Sequence, residues 1–278
     1  MRRETFSTPG PVLLTLKLPR GKVELETVEG DETTVELEAI DDSERAERQI
    51  ERSEIVMRER GDGYEVVVDA DPEDFGFRRG ALTISISGRR DAIRMRVRAP
   101  HGADVNVHTA SADIEARGRF GTVESKTASG DVDFGEIERD AAIKVAAGDV
   151  KVARVGGSLK LQSAAGDADV GEVSGSVDVK TASGDVNVEE AGGSVSVQSA
   201  SGDVRVGAVS NGSVELKSVS GDMVVGIRRG SRVFMDVKTV TGDARSELEV
   251  GDAPEDDDGP LVNLRATAMS GDIKIIRA

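Results

Sequence analysis

The chain has no cysteine, no tryptophan, one tyrosine and two histidines in 278 residues. Without cysteine there is no disulfide framework, no thiolate metal site and no cysteine nucleophile. His101 and His108 are too few for a histidine-rich metal centre and are expected to be surface polar residues. No apolar run approaches the ~18 residues of a membrane span. The opening MRRETFSTPGPVLLTLKLPR is basic but lacks the apolar stretch of a secretion signal, Thr15 and Lys17 interrupting the only candidate. A cytoplasmic location without membrane insertion is therefore expected. Positive charge is scarce too. With 36 Lys and Arg against 52 Asp and Glu the formal charge is −16, which disfavours nucleic acid and anionic membrane surfaces as partners.

Glycine is abundant, at 32 residues, while aromatics make up 3%. A core without large rings must be assembled from Val, Ile, Leu and Ala in many small similar pieces. The array supplies them. Gly-Asp recurs at Gly130, Gly148, Gly166, Gly184, Gly202, Gly221, Gly242 and Gly271, at intervals of 18, 18, 18, 18, 19, 21 and 29, and Ala112-Asp113 holds the same phase upstream. Each eighteen divides into nines: SGDVNVEEA at 183–191 is followed by GGSVSVQSA at 192–200. The V-x-V alternation is that of a short strand with one buried face, and the Gly-containing interval is a corner. The expected fold is all-β, a parallel β-solenoid of 18-residue coils stacked about 4.8 Å apart, with right-handed crossovers.

Three columns are expected to line its interior. The first is Ala110, Ala128, Ala146, Ala164, Ala182 and Ala200, widening to Val219, Val240 and Met269. The second runs Ile114, Val132, Val150, Ala168, Val186, Val204 and Met223; the third runs Val123, Ala141, Leu159, Val177, Val195, Val214 and Val233. Residues 101–278 are assigned to the solenoid and 1–100 to an irregular N-terminal β cap that closes its first coil. Within the cap, 11–40 reads as a degenerate coil and 43–50 as a short helix capped by Asp42 or Ser43. SEIVMRER-GDG-YEVVVDA reads as a hairpin, and ALTISIS and AIRMRVRAP as two further strands. At the far end an acidic insert, 251–260, precedes a last coil that ends the chain. That coil, carrying Ile273 and Ile275, is expected to be the open end and a possible site of homo-oligomerisation.

The most tempting ligands are the stacked carboxylates Asp113, Asp131, Asp149, Asp167, Asp185, Asp203, Asp222, Asp243 and Asp272. Corner aspartates ordinarily accept backbone N–H bonds, and that role is expected here; a row of weak cation sites is the alternative. A calcium β-roll would carry Gly-x-Asp in every nine residues, whereas here alternate corners carry Ser158, Ser176, Ser194 and Ser213. Asp252, Glu255, Asp256, Asp257 and Asp258 lack EF-hand spacing. A second stripe, Lys126, Lys144, Gln162, Lys180, Gln198 and Lys217, either discourages lateral strand pairing or recognises an acidic partner. No G-x-S-x-G, H-E-x-x-H or phosphate loop is present, and the coils are too short to build the cleft of a polysaccharide-cutting β-helix, interruptions at 226–241 and 249–262 apart. No catalytic, cofactor or metal residue is assigned, and no enzyme activity is expected.

The segment RVRAPHGADVNVHTASADIEARGRFGTVESKTASGDVDFGEI resembles the bacterial β-strand-repeat family labelled "putative adhesin", one of the short-coil β-solenoids called toastrack domains. The resemblance covers about 100–278 and, more weakly, the N-terminal part. It implies a non-enzymatic interaction or scaffold module of the kind found with bacterial envelope-stress or cell-surface proteins, and it carries over no catalytic residue. A protein partner is the leading expectation, with self-assembly or adhesion as the alternative.

Overall fold

Strands of five to seven residues alternate with glycine corners, so that a coil is two strands and two corners, and each coil leaves its backbone edges for the next to pair. A computed structural model describes residues 1–41, 43–70, 77–78, 81–82, 92–248 and 259–278, in two compact units, Met1–Arg139 and Asp140–Ala278.

In the first unit the strands are β1 (Arg2–Ser7), β2 (Val12–Val28), β3 (Glu32–Ala39), β4 (Glu54–Arg60), β5 (Gly63–Asp69), the two-residue β6 (Phe77–Arg78) and β7 (Ala81–Leu82), β8 (Ile93–Pro100), β9 (Asp104–Phe120), β10 (Val123–Ser129) and β11 (Val132–Ile137). The rest of ALTISIS, 83–87, lies outside the described residues. Helix α1 (Glu44–Arg52) is capped by Ser43, whose hydroxyl accepts from the Arg45 and Ala46 N–H groups, and it buries Ala46 and Ile50.

β2 is a whole coil in one strand. It turns at Gly21, where φ is +127° and a Cβ would lie 1.9 Å from the Ile93 carbonyl oxygen. On one side β2 pairs in parallel with β9, from Leu13 opposite Asp104 to Glu26 opposite Arg117. On its other side it pairs in parallel with β5 and then β8. The coil nearest the N-terminus thus lies between strands that follow it in sequence. β3 leaves the coil and runs antiparallel to β8 and β1, so of the segment 11–40 only β2 is coil. Leu14, Leu16, Leu18, Val23 and Leu25 of β2 are buried, and further on Phe120 meets Phe134 edge to face with centroids 6.1 Å apart.

The second unit contains β12 (Ala141–Ala147), β13 (Val150–Val155), β14 (Leu159–Ala165), β15 (Ala168–Val173), β16 (Val177–Ser183), β17 (Val186–Ala191), β18 (Val195–Ser201), β19 (Val204–Val209), β20 (Gly212–Ser220), β21 (Met223–Ile227), β22 (Arg232–Thr241), β23 (Ala244–Ser246), β24 (Leu261–Ser270) and β25 (Ile273–Arg277). Even-numbered strands stack in parallel as one face, odd-numbered strands as the other, in register every eighteen residues. The coil order changes at the end. β20 pairs with β24, and β24 with β22; likewise β21 pairs with β25, and β25 with β23. The coil that ends the chain is therefore sandwiched, and among the described residues β22 pairs with β24 alone. Ile273 and Ile275 are buried, and the open end expected there belongs instead to β22–β23.

Two columns also differ from the sequence reading. Ala146, Ala164, Ala182 and Ala200 face outward, as do Val219, Val240 and Met269. In this column the inward residues include the hydroxyl residues Thr127, Thr181, Ser199 and Ser218, with Val145 and Ala268 in other coils. The phase is set by the preceding V-x-V, and the hydroxyls of Thr181 and Ser218 are satisfied by the carbonyl two residues on, Ser183 and Ser220, each at 3.1 Å, whereas Ser199 Oγ is buried without a partner among the described residues. The third column continues from Val214 through Leu264 to Met235, two residues past Val233.

Candidate functional site

Three surfaces carry charge in a repeating arrangement. The first is the Asp ladder at one corner. Within each unit an aspartate Oδ1 accepts the backbone N–H of the aspartate one coil on: Asp113 from Asp131 at 3.1 Å in the first, and in the second Asp149 from Asp167 at 2.9 Å, then Asp167 from Asp185, Asp185 from Asp203 and Asp203 from Asp222, each at 2.8 Å. The ladder then follows the spatial order of coils, Asp222 accepting from Asp272 and Asp272 from Asp243. The opposite corner repeats the device with Asp140 accepting from Ser158 N–H and Ser158 from Ser176 N–H. These carboxylates satisfy corner N–H groups that no strand ladder reaches. Among the described residues no group of three or more acidic or histidine side chains is placed to hold a metal ion. Asp252 and Glu255–Asp258 lie outside the described residues.

The second surface is a cavity of about 600 Å³ in the first unit, over the outward face of β3, β8, β2 and β9. Pairing register sets its lining as a grid. Glu36, Arg96, Glu24 and Glu115 form one row; Thr34, Arg98, Glu26 and Arg117 form the next. Arg96 donates to Glu24 at 2.7 Å, Arg98 to Glu26 at 2.8 Å and Lys22 to Glu115 at 2.7 Å. Burial pushes the Glu24 carboxyl up, but hydrogen bonds from Arg96 and Lys22 outweigh it and hold its pKa below the usual carboxylate range. The hydrogen bond from Lys22 holds Glu115 low as well, against a smaller opposing effect of burial. Carboxylates with lowered folded pKa values contribute stability that is complete above their unfolded value, about 4.3, and is lost as pH falls through the folded value. Glu24→Gln should therefore flatten the acid limb of a stability–pH curve below about pH 4.3; an unchanged limb means the pair is not linked to folding.

Sequence reasoning passed over this grid. Its signal was there, in KVELE, TVELE and RMRVR, strands with a charge at almost every outward position. Neither histidine lines the cavity. His101 Nδ1 lies 3.0 Å from Thr27 Oγ1. His108 stands between Lys17 and Lys126 in the pairing, and its pKa is lowered by burial first and by Lys126 second, so it is neutral at pH 7.

The third surface is the even-strand face of the second unit. Lys144, Gln162, Lys180, Gln198 and Lys217 stand directly opposite one another through successive coils. Lys160 is two residues before Gln162 on the same face, so Gln162 is ringed by Lys144, Lys160 and Lys180. Among the described residues none of these three has a carboxylate within 4.0 Å, whereas Lys217 pairs with Glu215 at 2.6 Å. Alongside, on the same face, runs the exposed column Ala146, Ala164, Ala182 and Ala200. Lys126, the remaining member of the stripe, is in the first unit and pairs with Glu124.

The family profile described as Toastrack DUF4097 matches residues 14–275. Curated proteins return no match. Among solved structures the chain is similar to a "putative adhesin" from Bacteroides fragilis NCTC 9343, at 11% identity over 99% of this chain and 96% of that one, with a TM-score of 0.42. It is also similar to a "putative adhesin" from Parabacteroides distasonis ATCC 8503, at 12% identity over 100% and 96%, with a TM-score of 0.38. A "putative cell adhesion protein" from Clostridium sporogenes ATCC 15579 aligns at 11% identity over 100% and 99%, with a TM-score of 0.26. No helix among the described residues is long and apolar enough to cross a membrane.

Proposed function

This chain belongs to the Toastrack DUF4097 family, and from that premise we propose that it is a non-catalytic interaction module, a scaffold or adhesin-like protein that holds an acidic segment of a protein partner along the even-strand face of its second unit. The observation that supports this reading is the unpaired cluster Lys144, Lys160 and Lys180 around Gln162. In a chain of net charge −16, cations that among the described residues form no ion pair within 4.0 Å, although Asp178 stands opposite Lys160, are the groups left over to attract an anionic partner. The column spaces Lys144, Lys180 and Lys217 two coils apart, about 9.6 Å at each step. An extended acidic segment lying along the alanine column can set carboxylates at that interval, and the amides of Gln162 and Gln198 remain for its backbone. A rigid, pre-formed face loses little entropy on binding such a segment.

The test uses a fluorescent poly-glutamate peptide as probe, with in-cell crosslinking alongside. The triple variant Lys144→Glu, Lys160→Glu, Lys180→Glu should lower peptide affinity at least ten-fold at low salt and remove the crosslinked partner. The control Lys151→Glu, Arg205→Glu, on the odd-strand face, should leave both unchanged. Equal binding by wild type and triple variant removes this face from consideration.

A further inference from the structure

The sandwiching of the final coil leaves β22 as the outermost even strand of the second unit, paired among the described residues with β24 alone. An open strand of ten residues is a template for another chain, and soluble proteins normally blunt such edges with charge, proline or a bulge. β22 reads RVFMDVKTVT, with neither proline nor glycine, and it shows no break in its register with β24. Its inward residues Val233, Met235 and Val237 are only half-buried, unlike the corresponding residues of the neighbouring coil. Its outward residues include Phe234, 66% exposed, and Val240, 81% exposed. Met269, next to Val240, adds to the apolar surface at 59% exposure.

The order of side chains along this edge is symmetric about Val237. Pairing β22 with a second β22 in antiparallel fashion, with Val237 opposite Val237, sets Asp236 opposite Lys238 of the other copy, and Lys238 opposite its Asp236. One step further, Phe234 meets Val240 and Val240 meets Phe234. On the inner side Met235 meets Thr239. Each of these matches joins residues of the same face, as antiparallel pairing requires. The two charges that would guard the edge against strangers are thus complementary to the same edge in a second copy. We infer that β22 is a homodimerisation edge, at which two copies of this chain join antiparallel about Val237 and close the open core end of one second unit against the other. A pairing of this kind is isologous, so it stops at two copies and builds no filament.

The inference is independent of the peptide-binding reading, because Asp236 and Lys238 lie outside the Lys144–Lys180 cluster. Its test is a charge exchange followed by light-scattering mass and sedimentation velocity on the full chain. The wild type should run at twice 29.3 kDa. Asp236→Lys sets Lys against Lys and Lys238→Asp sets Asp against Asp, so each alone should weaken the dimer at least ten-fold and run as a monomer. Within one chain Asp236 pairs with Lys238 at 3.0 Å and with Arg265 at 3.4 Å, so each single variant also removes an intrachain pair, and mixing the two variants is the arm that isolates the contact between copies. Mixing the two single variants should restore a dimer containing one of each, and the double exchange in one chain should restore the homodimer. Recovery on mixing shows that both variants are folded. A wild type that stays monomeric at hundreds of micromolar overturns the inference. A dimer whose mass neither single variant changes overturns it equally.

Discussion

Leu264→Ala should cost about 3 kcal/mol of unfolding free energy, the middle of the range for a fully buried leucine. Met235→Ala, at the equivalent position of the next strand, should cost no more than about 1 kcal/mol when both are measured in the monomeric Lys238→Asp background. Val214, Leu264 and Met235 stand opposite one another in three successive coils, so the comparison holds column and inward orientation fixed. What differs is cover. Leu264 lies between β20 and β22 and is 1% exposed, while Met235 has a coil on one side only among the described residues. Were the coils stacked in sequence order, Met235 would be the covered residue and Leu264 the outer one, and the costs would reverse. Urea unfolding of the two variants, compared by midpoint at equal slope, reads the difference directly.

Gly184→Val should be more damaging still, costing about 4 kcal/mol or preventing folding. Two demands coincide at this corner. The backbone has φ +112°, a region that a β-branched side chain scarcely enters, and a Cβ would lie 2.1 Å from the carbonyl oxygen of Gly166 in the preceding coil. Backbone on both sides cannot yield, because Asp185 N–H is bound to Asp167 Oδ1 at 2.8 Å across the same corner. Gly61 separates the two demands. It has φ +64° with nothing within 4 Å of a Cβ, so Gly61→Asn, a residue that tolerates that region, should shift stability by less than about 1 kcal/mol. An equal loss at Gly61→Asn, where neither the angle nor the space opposes the side chain, would contradict this account of the corner.

Much of the fold was legible because an eighteen-residue period fixes which residues share a column, and strand alternation fixes most of the facing. Two things escaped it. The alanine column was assigned inward because alanine is apolar and threonine is not, yet a threonine whose hydroxyl finds a carbonyl two residues on is easily buried, and alanine is indifferent. The order of coils escaped because a column records equivalence, not adjacency. Asp222, Asp243 and Asp272 are equivalent in sequence, and only their hydrogen bonds reveal that Asp272 lies in the middle. The lengthening intervals of 21 and 29 marked the place where regular succession stops. The same limit applies to β2, which in sequence precedes both of its flanking neighbours and in space separates them. The charged grid escaped for another reason: its members come from four strands spread over residues 22–117, and each strand shows its own row of charges without showing which other strands lie beside it.

The placement of the final coil between two earlier ones sets both the open edge and the course of the ladders, and cysteine pairs test it most directly. The chain has no cysteine of its own, so every disulfide is engineered and unambiguous. Lys217, Thr267 and Lys238 are outward residues in register on β20, β24 and β22. Neighbouring strands bring such positions to about 4.8 Å, within disulfide reach, while alternate strands leave about 9.6 Å, beyond it. Oxidised at low protein concentration, Lys217→Cys with Thr267→Cys should crosslink, and so should Thr267→Cys with Lys238→Cys, while Lys217→Cys with Lys238→Cys should not. A crosslink between positions 217 and 238 with none between 217 and 267 would show coils stacked in sequence order and contradict the account.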